Sequence, residues 1–328
     1  MVNSNETVPP DPTANVNLDF AAYIQQQQDS LDRHIKKGVP DYAFSLDAAI
    51  RSKLATISLL RTIGQAVSSA VVPYQRQLHL MNGVAVGPQQ FPDICQMGED
   101  CARILGIGIP QIFIISGPIP NVWTYCTSDA DQTIILTNSL VQASDAEELK
   151  FIIGHECGHI HNQHVAYNTI WELIANPLAQ SVLLGVVKAV PGVGIIFPLL
   201  QMAAKASLWY VFNRWHRCAE ITSDRAGLIC CGNTAAALRA HGKLMTGGAH
   251  LLEGFNAEEY SNQISKINES PLRFLEIFQS HPMGTKRVEA LRLFSECKVL
   301  YDWRPEMQRK ITLRGKADID AECENLLK

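Results

Sequence analysis

No Cys-x-x-Cys pair occurs in this 328-residue chain, although it contains nine cysteines. The odd count and irregular spacing exclude a disulfide scaffold, a zinc ribbon and a thioredoxin-like site. Reduced, partly buried thiols in a cytosolic protein fit better. Charge is also scarce. Charged residues make up 18% of the chain and sum to a net charge of -4. Such a balance provides no global attraction to nucleic acid, so no nucleic-acid partner is expected. The N-terminus has neither a basic start nor an apolar core, which excludes a secretory signal peptide. A cytoplasmic location is expected, with membrane association left open. There is no internal repeat. Apolar residues reach 47%, enough to exclude a wholly disordered chain.

The organisation reads as four parts. Residues 1–17, with Pro9, Pro10 and Pro12, form a disordered lead. Residues 18–89 form a helical extension. Its Leu18–His34 stretch is polar and Gln-rich. Its Leu46–Val72 stretch places most apolar residues at three- and four-residue spacings (Ala48, Ile50, Leu54, Ile57, Leu60) and stops at Pro73. Arg51, Lys53 and Arg61 argue against a membrane span there. Residues 90–300 form the main domain, and residues 301–328 a charged tail.

Within the main domain a helix is expected over Pro92–Leu105. Short strands follow at Gln111–Ile115, Val122–Tyr125 and Thr133–Thr137. Their closeness in sequence suggests antiparallel pairing. Ser144 and Glu147 have capping-box spacing and open a helix running to about Val165. Further helices are expected at Trp209–Cys231, Thr234–His241, Glu258–Asn268, Leu272–Phe278 and Thr285–Phe294, with a loop over Gly242–Gly248. The fold class is α+β, mainly helical, with a small mixed or antiparallel sheet beside the Ser144 helix.

An apolar insertion spans 173–204. Lys188 is its only charge, and Pro177, Pro191 and Pro198 interrupt it. A hairpin covered by protein, a membrane-associated hairpin and a partner-binding face all suit this composition.

The chemistry concentrates in His155-Glu156-Cys157-Gly158-His159, an HExxH sequence. On a helix, residues four apart share a face, so both imidazoles can bind one zinc ion. Glu156, beside the first ligand, is placed to act as general base on water. A third ligand is needed. His161 and His164 are poorly aimed around the helix, being two and five residues past His159. Glu220 suits the role better, and Asp224 lies four residues later on the same expected helix. Asp224 can then accept an imidazole N–H from a ligand histidine. Spacing alone equally permits Glu220 and Asp224 to be surface carboxylates.

Over about residues 90–295 the chain resembles the M48 family of zinc metallopeptidases (HtpX-like, Oma1-like and Ste24-like proteases). The likeness lies in Gly108-Ile109-Pro110 leading into Ile112-Phe113-Ile114, then Ile134-Ile135-Leu136-Thr137, Glu148-Leu149 and His155–His159. The family's Asn-Ala-Phe-Ala stands here as Asn121-Val122-Trp123-Thr124. The resemblance implies a zincin-type fold with one catalytic zinc ion on His155, His159 and Glu220. Glu156 would be catalytic. Arg217 precedes the third ligand and Asp224 follows it. By the same match, His281 of His281-Pro282 and Arg287 would position substrate or stabilise the oxyanion. Asn121, Val122, Trp123 and Thr124 would line a sheet edge that holds an extended peptide. That edge strand would be Val122–Tyr125 or Ile134–Thr137. The apolar insertion occupies the place of a membrane hairpin in HtpX-like proteins. The expected activity is zinc-dependent endopeptidase, with a peptide or protein as substrate. The alternative is a non-catalytic, zinc-stabilised protein that binds a membrane or partner. Oligomeric state is not legible.

Overall fold

A computed structural model describes residues 34–36, 38–56, 76–125, 131–168, 209–246, 256–269, 284–307 and 312–327. The expected helices Leu18–His34 (all but His34) and Leu272–Phe278, His281, and the apolar insertion lie outside the described residues. Among the described residues, no helix is long and apolar enough to cross a membrane.

The order of elements begins with a two-stranded ladder, β1 (Ile35–Lys36) and β2 (Val39–Pro40), and helix α1 (Ser45–Ala55). Then come β3 (Gly83–Ala85), α2 (Pro92–Leu105), β4 (Gln111–Ile115), β5 (Val122–Tyr125) and β6 (Thr133–Thr137). The rest is helical: α3 (Asn138–Ala143), α4 (Ala146–His161), α5 (Trp209–Cys231), α6 (Thr234–Thr246) and α7 (Ala257–Glu269). Helices α8 (Gly284–Ser295), α9 (Lys298–Trp303) and α10 (Lys316–Leu326) complete the order.

The larger sheet has the order β3-β4-β6-β5. The antiparallel expectation holds for β5 with β6, but β4 and β6 run parallel; β3, a strand not expected from the sequence, pairs antiparallel with β4. The reason is topological. The chain leaves β4, passes to the far edge to form β5, and returns between them as β6. All five residues of β6 are buried, as expected for an interior strand covered on both faces. An interior strand offers no edge. Of the two strands considered for substrate pairing, β6 is therefore excluded, and β5 is terminal among the described residues.

Helix α4 begins one residue later than Ser144 suggests. Asp145 is the cap: its Oδ1 accepts from the amides of Glu147 (3.0 Å) and Glu148 (2.9 Å). Its own amide donates to Glu148 Oε2 at 2.8 Å, closing the capping box. Ser144 instead ends α3, donating its amide to Leu140 O. Helix α6 runs past His241 through the expected loop to Thr246. A glycine inside a helix costs about 1 kcal/mol. Here Lys243, one residue after Gly242, reaches back to the buried Glu148 of α4.

Residues at both ends of the described chain join the same core. Arg225 of α5 is 1% exposed and lies between the rings of Phe44 and Phe294. Its Nη1 donates to Tyr42 O at 3.1 Å and to Asp320 Oδ1 at 2.7 Å. Asp320 also accepts from Ser45 and Lys316. Residues 316–326, read in the sequence as part of a charged tail, thus form a packed helix with Ile319 and Cys323 fully buried.

Burial opposes ionisation of Asp320, but the Arg225 and Lys316 cations outweigh it and hold its carboxyl below the usual range. A lowered folded pKa contributes stability above the unfolded value, about 4 for aspartate, and the contribution is lost as pH falls. Asp320→Asn should destabilise the protein by about 3 kcal/mol at pH 7, because Arg225 keeps its buried charge. Urea denaturation across pH should show the difference from the parent shrinking below pH ~4.

Candidate metal centre

Helices α4 and α5 pack against each other at unusually short range. A Cβ on Gly154 would lie 2.5 Å from Cys230 Cβ. One turn on, a Cβ on Gly158 would lie 2.6 Å from Ala226 Cβ and 3.0 Å from Ser223 Cα. The two glycines form a flat stripe on α4, and α5 lies in it. This brings Glu220 and Asp224 of α5 to His155 and His159 of α4. Glu220 and Asp224 are 4% and 2% exposed, so the surface-carboxylate reading is overturned.

Three ligand atoms converge. His155 Nε2 and His159 Nε2 are 3.1 Å apart. Glu220 Oε2 lies 3.6 Å from His155 Nε2, and Glu220 Oε1 lies 3.4 Å from His159 Nε2. Bonds of 2.0–2.1 Å in tetrahedral geometry give ligand–ligand edges of about 3.4 Å. The three residues therefore fit a small divalent ion, and among the described residues they are the sole such cluster. The His₂Glu donor set leaves a fourth position open, as a catalytic site requires.

The surrounding charges orient these ligands. Asp224 Oδ1 lies 2.9 Å from His155 Nδ1, which places the proton on Nδ1 and the lone pair on Nε2. Arg287 of α8 grips both carboxylates. Its Nε and Nη2 donate to Asp224 at 2.9 and 2.6 Å, and its Nη1 lies 2.8 Å from Glu220 Oε2. Burial opposes the charge on Asp224, but Arg287 and His241 hold its carboxyl well below the usual range. Arg287, proposed from the sequence for substrate or oxyanion, is here engaged with the ligand helix. Arg217 is buried on α5 three residues before Glu220.

Burial pushes the His155 imidazole down to about 4, against the raising effect of Asp224 and Glu220. It is therefore neutral at pH 7 and ready to ligate. His159 is moved upward: burial lowers it, but the Glu220 carboxylate outweighs that. A bound metal displaces the proton favoured there. Glu156 is 4% exposed, and burial pushes its carboxyl up to about 7.

Three buried residues near the site were missed or set aside in the sequence. His241 of α6 places Nε2 3.2 Å from Asp224 Oδ1. His216 lies one turn before Glu220, with Nδ1 4.0 Å from Glu220 Oε1. His164 does not ligate, but its Nδ1 lies 3.1 Å from His159 Nδ1. The i,i+4 relation of His216 to Glu220 was readable. The approach of α6 was not.

This geometry agrees with the comparisons. The model of peptidase family M48 matches residues 88–294, well over half of the chain. The chain belongs to peptidase family M48. It is 26% identical over 283 residues to the plastoglobule-localized metallopeptidase 48, chloroplastic, of Arabidopsis thaliana, covering 84% of this chain and 78% of that protein. It is 27% identical over 222 residues to a protease HtpX homolog of Streptococcus uberis, covering 62% of this chain and 73% of that protein. No solved structure matches.

Gly158→Ala should force α5 away from α4. The expected cost is about 1–3 kcal/mol of stability from overpacking, with weaker metal binding as Glu220 retreats. Urea denaturation and zinc titration on the same preparation would check both.

Proposed function

We propose that the protein is a zinc-dependent metalloendopeptidase. The supporting observation is the triangle of His155, His159 and Glu220 donor atoms, with Glu156 buried beside it on the same helix. The donor set, two imidazoles and a carboxylate with one open position, suits zinc. Zinc held there supplies Lewis acidity, polarising a carbonyl and acidifying water. Glu156 takes the proton from the attacking water and later delivers it to the leaving amine. Its raised carboxyl suits both roles near neutral pH. Asp224 and Arg287 keep the ligand atoms aimed during turnover. His281 retains the substrate-positioning role that the family resemblance implies.

The substrate would lie along β5. This strand is terminal in the sheet and packs against α4. An extended peptide can add to such an edge through main-chain hydrogen bonds. Asn121 fixes where the edge begins: its amide donates to Thr137 Oγ1 at 2.9 Å, and its Oδ1 accepts from Val122 N at 2.9 Å. Val122, Trp123 and Thr124 are half-buried along it. Thr124 Oγ1 donates to Thr133 O at 2.8 Å, holding β5 to β6.

Glu156→Gln should retain zinc yet lose at least about 100-fold in cleavage of an unfolded model protein, the usual scale for a general base. Gel-based cleavage assays with parallel metal analysis would read this. Parent-like turnover by the Gln form would contradict the mechanism. Glu220→Ala should lose zinc itself, and full metal content in that variant would refute the ligand assignment.

A further inference from the structure

The turn that follows the HExxH helix is gripped by a segment outside the family-matched residues. Tyr42 Oη is 2.9 Å from His161 Nδ1 and accepts from Asn162 Nδ2 at 2.9 Å. Arg51 Nη1 donates to Asn162 O. Gln163 adopts a left-handed backbone with φ of 57°, rare for a residue other than glycine. That reversal turns His164 back toward the metal centre.

There His164 sits in a closed chain of hydrogen bonds. Its Nε2 is 3.0 Å from Asp47 Oδ2, and its Nδ1 is 3.1 Å from His159 Nδ1. Asp47 and His164 are both fully buried. Asp47 also accepts from Trp215 Nε1 at 2.9 Å and from Thr222 Oγ1 at 2.7 Å. An ionised carboxylate only accepts. His164 therefore carries its proton on Nε2 and presents a lone pair at Nδ1. His159 must then donate from Nδ1, which leaves the Nε2 lone pair facing His155 and Glu220. The carboxylate of Asp224 performs this service for His155 directly. For His159 it is performed at one remove.

We infer that Asp47 of α1, acting through His164, is a positioning residue of the metal centre that sets the tautomer and aim of His159. This rests on the zinc site proposed above. It makes the segment around Tyr42, Asp47 and Arg51 a working part of that site, although the family match begins only at residue 88.

The test is zinc affinity, measured on the full chain by competition with a chromogenic chelator, beside urea denaturation. Asp47→Asn is nearly isosteric. It has one acceptor oxygen where Asp47 serves donors with both, so its N–H must oppose either Trp215 Nε1–H or the His164 and Thr222 donors, and the charge that fixes the His164 tautomer is lost. Zinc affinity should fall about 10- to 100-fold, the scale for groups that orient ligands. His164→Phe, which removes both ring nitrogens, should act in the same direction and covers failure of the first variant to fold. Ser45→Ala is the control: it loosens α1 from Asp320 at the same end but touches nothing at the metal. It should lower stability slightly and leave zinc affinity unchanged. Unchanged affinity in folded Asp47→Asn and His164→Phe would overturn the inference alone. Absence of zinc binding by the parent would overturn the zinc reading and this inference with it.

Discussion

Everything at the site depends on how closely α4 can approach α5. The ligands stand on two helices, and their donor atoms must meet within a few ångströms. Helix axes normally pack 8–10 Å apart, depending on the side chains between them. Glycine at 154 and 158 removes the side chains where α5 crosses, while His155 and His159 remain on the neighbouring stripe. A single methyl at either glycine would meet Cβ or Cα atoms of α5 at under or about 3 Å. The Gly154–His159 stretch thus has two parts. His155 and His159 present their imidazoles to Glu220, and Gly154 and Gly158 admit the helix that carries it.

The closely packed pair is then braced by buried charge. Arg287 from α8 joins Glu220 to Asp224, and Arg225 joins α5 to both described ends of the chain. Such pairs add little net stability compared with apolar packing, because both partners lose their hydration. They do penalise any arrangement that leaves one partner alone. The result is a ligand helix whose rotation is fixed from several sides. That is what a site with half-ångström tolerances needs.

Local elements were legible to a high degree. Pro92–Leu105, the three strands from Gln111 to Thr137, and Trp209–Cys231 have the limits expected from their patterns. Each is bounded by strong signals such as Pro92, Gly117-Pro118 and Gly232. Parallel pairing of β4 with β6 was not legible, because strand order in space leaves no trace in strands this short. Nor was the continuation of α6 through Gly242, where Lys243 meets Glu148 across helices, a contact no local pattern shows. At the site, the grouping of His155, His159 and Glu220 was readable from spacing and resemblance. His164 was seen but judged only as a ligand, where its angle is wrong. Its partner Asp47 lies 117 residues away in sequence, and no local pattern could join them. The brace residues Arg225, His241 and Asp320 escaped for the same reason.

The central claim is that one zinc ion sits among two imidazoles and a carboxylate. X-ray absorption at the zinc edge on the zinc-loaded full chain tests it directly. The account predicts a nitrogen and oxygen shell at about 2.0–2.2 Å with imidazole outer-shell scattering and no sulfur. With nine cysteines in the chain, a sulfur shell at about 2.3 Å is the contrary result. It would place the metal on thiolates and away from His155, His159 and Glu220.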